Sequence, residues 1–194
     1  MEIDSTDLIS KNLNELKKLI TNLTTDEISM ISKISSLVIN TIKSGGCIFW
    51  CGNGGSASDS QHLAAELIGR FKNNREPYKS ISLTADSSVI TCISNDFGYE
   101  NLFSRQLEGL GNKGDLVITL STSGNSINLK NLLEKAKEKG INSVAILGKG
   151  GGLIKDLADY TLIINSNNTA RIQEVHILIG HIICQIVEEE LNGT

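Results

Sequence analysis

The chain has 194 residues, 40% hydrophobic and 21% charged, with a formal net charge of −4, which suits one globular domain with a substantial core. That sign gives no electrostatic case for nucleic acid as a partner. The acidic start Met1-Glu2-Ile3-Asp4 lacks a secretory charge pattern, and no apolar run reaches the ~18 residues of a membrane span, so a cytoplasmic protein with no membrane partner is expected.

Residues 5–44 predict two helices. Leu8, Leu13, Leu16 and Ile20, then Ile28, Ile31, Ile34, Leu37, Val38 and Ile42, recur at near-helical spacing. The break falls at 22–27, where Thr24 or Thr25 can cap the second helix. Such a pair, residues 1–44, covers the core or packs on another subunit, ahead of a single α/β domain over 45–194.

From residue 45 the pattern alternates. Strands are predicted at 46–51, 79–84, 115–120, 142–147 and 160–164, and helices at 56–71, 87–94, 100–110, 126–139 and 169–191. The runs Leu116-Val117-Ile118-Thr119-Leu120 and Ser143-Val144-Ala145-Ile146-Leu147 suit parallel strands buried on both faces. The expected fold class is α/β, a doubly wound five-stranded parallel sheet whose ligands bind at the carboxyl ends of the strands. No internal repeat or low-complexity tract interrupts it.

The first strand runs into Gly52-Asn53-Gly54-Gly55-Ser56-Ala57 and then a helix carrying His62 and Glu66. Glycines let backbone approach a ligand closely, and a helix N-terminus offers open N–H groups to an anion. His62 and Glu66 lie one turn apart on one face, as a proton-transfer pair, half a zinc site or a solvated ion pair. The turn also fits the relaxed dinucleotide pattern G-x-G-x-x-A, with Asp86 as a distant ribose-binding acid. It is not a P-loop, since the terminal Gly-Lys-Ser/Thr is missing.

A second candidate cradle follows the third strand: Ser121-Thr122-Ser123-Gly124-Asn125-Ser126, with a helix cap expected at its end. No lysine lies within it, so hydroxyls, N–H groups and the helix end would hold a phosphate. By itself it is equally an ordinary Ser/Thr-rich turn.

The other histidines, His176 and His181, sit on the last helix, about 140° apart, and should not share one site. Gln173 and His181 differ by only about 80° but lie about 12 Å apart along the axis. A pocket using both requires converging side chains, a bent helix or two subunits. The four cysteines, 47, 51, 92 and 184, form no C-x-x-C pair and read as buried free thiols.

Five segments in order, Gly52–Ala57, His62-x-x-x-Glu66, Asn95-Asp96-Phe97-Gly98-Tyr99, Ser121–Ser126 and Arg171-Ile172-Gln173-Glu174…His181, resemble the phosphoheptose isomerases of the sugar isomerase (SIS) group over nearly the whole chain. The resemblance implies a flavodoxin-like sheet, a homotetramer with sites shared between subunits, and reversible conversion of sedoheptulose 7-phosphate to D-glycero-D-manno-heptose 7-phosphate through an enediol(ate), for lipopolysaccharide or other surface glycans. It implies that Ser121, Ser123 and Ser126 hold phosphate while Asn53 and Asp96 help place the sugar, with Gly54, Gly55, Ser56, Glu66, Asn95, Thr122 and Gln173 as further substrate-binding residues. Glu66 matches the base and His181 the opposing acid. His62, Glu66, Gln173 and His181 match ligands for one Zn2+ per subunit. A carboxylate held tightly by zinc is a poorer base, so the two roles of Glu66 are in tension. Some members carry an aspartate where this chain has Ala170, which bears on local polar contacts. Two alternatives stay open: a non-catalytic SIS-fold binding protein of the replication-initiation regulator type, and an isomerase of another sugar phosphate.

Overall fold

The computed structural model describes residues 4–192, so Met1-Glu2-Ile3 of the acidic start lie outside the described residues. Helices α1 (Ser5–Thr21) and α2 (Thr25–Lys43) lead into β1 (Ile48–Gly52), α3 (Gly55–Ile68), β2 (Ser80–Ser82), α4 (Ser87–Phe97) and α5 (Leu102–Leu110). Then come β3 (Leu116–Ser121), α6 (Ile127–Lys139), β4 (Asn142–Leu147), β5 (Tyr160–Ile163) and α7 (Thr169–Asn192). The strands form one parallel sheet in the order β2-β1-β3-β4-β5. The order reverses between β1 and β3, so their carboxyl ends flank the switch point where ligands bind in such sheets. Both candidate cradles emerge there.

Both faces of the sheet are covered, which explains the apolar strand runs. On one face Ile48, Trp50, Ile118 and Ile146 meet α2, α3 and α7; on the other Phe49, Cys51, Val117 and Ala145 meet α4, α5 and α6. Helix α2 is capped by Thr24, whose hydroxyl accepts from the Glu27 N–H while the Glu27 carboxylate accepts from Thr24, an exchange worth about 1 kcal/mol. Ile34 and Val38 of α2 are wholly buried. Helix α1 buries no residue, and Leu8, Ile9 and Leu13 stand 49%, 60% and 63% exposed.

One expectation, on the cysteines, needs correcting. Helix α7 is long and apolar enough to cross a membrane by length and composition, which by itself does not overturn the expectation of no span. It lies against the sheet with half of its apolar window buried and with Arg171, His176 and Glu188 buried on it, which makes it the core helix. All four cysteines are free, but only Cys51 and Cys184 are buried; Cys47 is intermediate and Cys92 exposed.

Candidate active site

Both helices that start at the switch point lack a side-chain cap, as α5 also does. Asp4, Thr24 and Asp86 side chains cap α1, α2 and α4, whereas no side chain caps α3 or α6. Turn carbonyls take some of their first N–H groups, Ser56 N donating to Asn53 O and Leu129 N to Ser126 O; the remaining N–H groups and the positive helix ends suit an anion. Ser126 occupies the N-cap position of α6 without a capping bond, so the expected cap is not made by its hydroxyl. Asp86 accepts from the N–H groups of Ser88 and Val89. Its Oδ1 is thus committed to capping α4.

Between these helix ends lies a small cavity of ≈ 80 Å³, lined by Asn53, Ser56, Leu120, Gln173 and the serine loop residues Ser121, Thr122, Ser123 and Ser126. Ser121 Oγ accepts from Gly124 N and Ser123 Oγ from Asn125 N. With their oxygens taken by backbone donors, both hydroxyl protons remain to donate to an anion. The loop is braced by the turn at 148–154. Gly148 N donates to Ser121 O, Ile154 N to Gly124 O and Leu153 N to Asn125 Oδ1.

Gly54, at φ +58, opens α3, and Gly55 passes close to Gln173: a Cβ there would stand 2.5 Å from Gln173 Nε2. Asn53 exchanges amide hydrogen bonds with buried Asn128, and its oxygen also accepts from Tyr99 Oη at 2.7 Å. These contacts fix the Asn53 amide and leave one of its N–H donors over. Asn53, Tyr99, Ser126 and Asn128 line a wider opening of ≈ 650 Å³ beside the serine cavity.

The second group lies further along α3, which runs beside α7. Gly180 allows their close approach, since a Cβ there would stand 2.4 Å from Leu63. His62 Nε2 is 3.0 Å from Glu66 Oε1 and 3.1 Å from His181 Nε2. The three donor atoms lie within 4.8 Å of one another. Zinc with bonds of ~2.0–2.1 Å places tetrahedral ligands about 3.3 Å apart, so this nitrogen and oxygen set fits a divalent cation with one position left over. Gln173 does not join it. That side chain lies against Gly55 in the serine cavity, eight residues from His181 on one helix, about 12 Å of rise.

Asn95 and Asp96 are exposed on the last turn of α4, where they bond to each other and Cys92 Sγ bonds to Asp96. Among the described residues they line neither the serine cavity nor its opening.

A SIS domain family model matches residues 12–148. The chain is 49% identical over 163 residues to the phosphoheptose isomerase of Akkermansia muciniphila, covering 84% of this chain and 86% of that one. The chain belongs to the phosphoheptose isomerase family of SIS-domain proteins. The solved phosphoheptose isomerase of Francisella tularensis has a TM-score of 0.91 at 30% identity, over 96% of this chain and 100% of that one. That of Neisseria gonorrhoeae has 0.87 at 32%, over 95% and 98%.

In this phosphoheptose isomerase family member, Ala170 is exposed, and buried Arg171 pairs with Glu174 and donates to Asn12 Oδ1 at 2.6 Å. Glu174 thus supplies Arg171 with a carboxylate that Ala170 cannot.

Three polar residues of this region were not assigned roles from sequence. Tyr99 and Asn128 reach Asn53 across 46 and 75 residues, a contact that spacing cannot show. Asp59, one turn before His62, has a buried Oδ2 without a hydrogen-bond partner. Burial raises its carboxyl, against the pull of His62 and His181.

His176 lies away from the cluster, wholly buried, and neither ring nitrogen makes a well-formed hydrogen bond. Burial pushes its pKa down from 6.5 to about 4, partly opposed by the Leu147 backbone. Below pH 6.5 the unfolded chain binds this proton and the folded chain does not. The contribution is therefore full above pH 6.5 and is lost as pH falls toward 4, by about 3 kcal/mol in total. Urea unfolding of wild type and His176→Leu across pH 4–8 should show a flatter acid limb for the variant; parallel limbs would exclude this assignment.

Proposed function

We propose that this chain interconverts sedoheptulose 7-phosphate and D-glycero-D-manno-heptose 7-phosphate, supplying nucleotide-heptose synthesis for surface glycans. One observation carries the reading: a cavity of hydroxyl and helix-end N–H donors lies about two turns of α3 from a carboxylate–imidazole cluster. The first suits a phosphate dianion and the second suits proton transfer, and the family relatives carry the matching name.

In this mechanism Ser121, Ser123 and Ser126 donate to the phosphate, and Asn53 and Gln173 hold sugar hydroxyls. Glu66 takes a proton from C1 of the ketose, giving an enediol(ate) across C1 and C2. The proton returns at C2, while His181 moves a proton between O1 and O2, leaving the aldehyde at C1. Nothing is consumed, and the reverse path uses the same groups. His62, Glu66 and His181 would hold Zn2+, which when bound polarises the carbonyl as a Lewis acid. Metal analysis of purified protein and His62→Ala tests this: the wild type should carry one zinc per chain and the variant far less. Equal content would remove His62 from the ligand set.

The reading includes a homotetramer with sites shared between subunits, supported by the exposed Leu8, Ile9 and Leu13 face of α1 and by the separation of Gln173 from His181. Co-assembled Glu66→Gln and Gln173→Ala chains should then recover activity that neither variant has alone. No recovery in verified mixed tetramers would contradict shared sites. The free thiols support a cytoplasmic setting. Comparing sedoheptulose 7-phosphate with shorter ketose phosphates decides substrate length, and a preference for a shorter one would replace the heptose assignment.

A further inference from the structure

After α3 the chain runs from Gly69 to Lys79 without regular structure, yet this stretch is tied down by a buried ion pair. Arg75 Nε donates to Glu188 Oε1 at 3.1 Å, and both side chains are only 2% exposed. Glu188, on α7, also accepts from the backbone N–H groups of Phe71, Lys72 and Asn73. Burial alone would raise its carboxyl; these three N–H groups and Arg75 outweigh that and hold it below its ordinary range. Arg75 Nη2 donates to Glu66 O at 2.7 Å and Nη1 to Leu67 O at 2.9 Å, closing the carbonyl end of α3.

Burying two charges is a poor way to gain stability alone, because desolvation offsets the attraction. The geometry gives this pair a second consequence. The segment it pins places the Phe71 ring against His181, centroids 5.6 Å apart and planes 29° from parallel. On its other side His181 meets His62, centroids 4.9 Å apart. One guanidinium therefore holds the backbone of Glu66, and its carboxylate partner holds the backbone of the ring that backs His181.

We infer that Arg75, Glu188 and Phe71 are positioning residues that set the relative placement of Glu66 and His181. The inference rests on those two being the proton-transfer pair. It assigns the clamp to the proton-transfer step and leaves phosphate binding to the serine cavity at the other end of α3.

The test is a split between kcat and KM together with a signal that does not need turnover. Phe71→Ala should lower kcat by about tenfold, with KM for sedoheptulose 7-phosphate and inhibition by inorganic phosphate within about twofold. Phe71→Tyr should restore kcat. The His181 imidazole resonance, shifted by the Phe71 ring in the wild type, should move in Phe71→Ala and in Arg75→Lys. Wild-type protein that does not turn over the ketose sinks the isomerase reading, with the resonance still reporting on the clamp. Wild-type kcat in folded Phe71→Ala, or a His181 resonance unmoved by that change, overturns the positioning role. If Arg75→Lys does not fold, the Phe71 pair decides.

Discussion

Glu66→Gln is expected to lower turnover by about 10²- to 10⁴-fold, the scale of a lost general base, while the protein stays folded. The amide keeps the size of the side chain, and the backbone contact from Arg75 to Glu66 O does not depend on the carboxylate. What is lost is the negative charge and basicity of the group whose Oε1 sits 3.0 Å from His62 Nε2 and, in the mechanism, the acceptor of the C1 proton. Because Glu66 also belongs to the donor set for zinc, metal content must be measured on the same sample. Retained zinc with lost turnover assigns the carboxylate to proton transfer. Lost zinc with turnover restored by excess metal assigns it to metal binding. Normal kcat rejects it as the base.

Gly124→Ala is expected to be nearly as damaging, through the phosphate end of the site. Gly124 has φ +64, and a Cβ there would stand 1.9 Å from Gly151 O. The neighbour is backbone in a turn where Gly150, Gly151 and Gly152 also have positive φ, so it cannot yield by a rotamer change. The left-handed backbone alone costs about 1–2 kcal/mol with a side chain. The clash should displace the loop that aims Ser121 and Ser123. The expected outcome is a loss of about 2–3 kcal/mol in stability, with kcat/KM down by about 10²-fold. Unfolding curves and inhibition by inorganic phosphate check both parts; wild-type stability and phosphate affinity would show that the turn does not brace the loop.

Much of the scaffold is legible in the sequence because apolar spacing follows burial directly. The five strands and the helices behind them stand within a few residues of their predicted bounds, and Thr24 caps α2 as its Thr-x-x-Glu spacing allows. The site is legible only where contacts are local. His62 and Glu66 share a helix and meet as the four-residue spacing requires. His181 joins them only because α3 and α7 lie side by side at Gly180, which no local pattern records. The same helix carries Gln173 to the serine cavity, as its 12 Å rise from His181 requires. Ser126 and Asp86 show the limit of residue type as a guide, since either can cap a helix and only Asp86 does so. Glu188 stands in the run Glu188-Glu189-Glu190, where only the fold shows which carboxylate turns inward.

The most direct test of the central claim is incubation with sedoheptulose 7-phosphate in deuterated water, followed by NMR. The expected result is formation of the heptose 7-phosphate aldose, with solvent deuterium entering at the carbon that exchanges its proton with Glu66. Neither turnover nor exchange at saturating substrate would contradict the isomerase assignment.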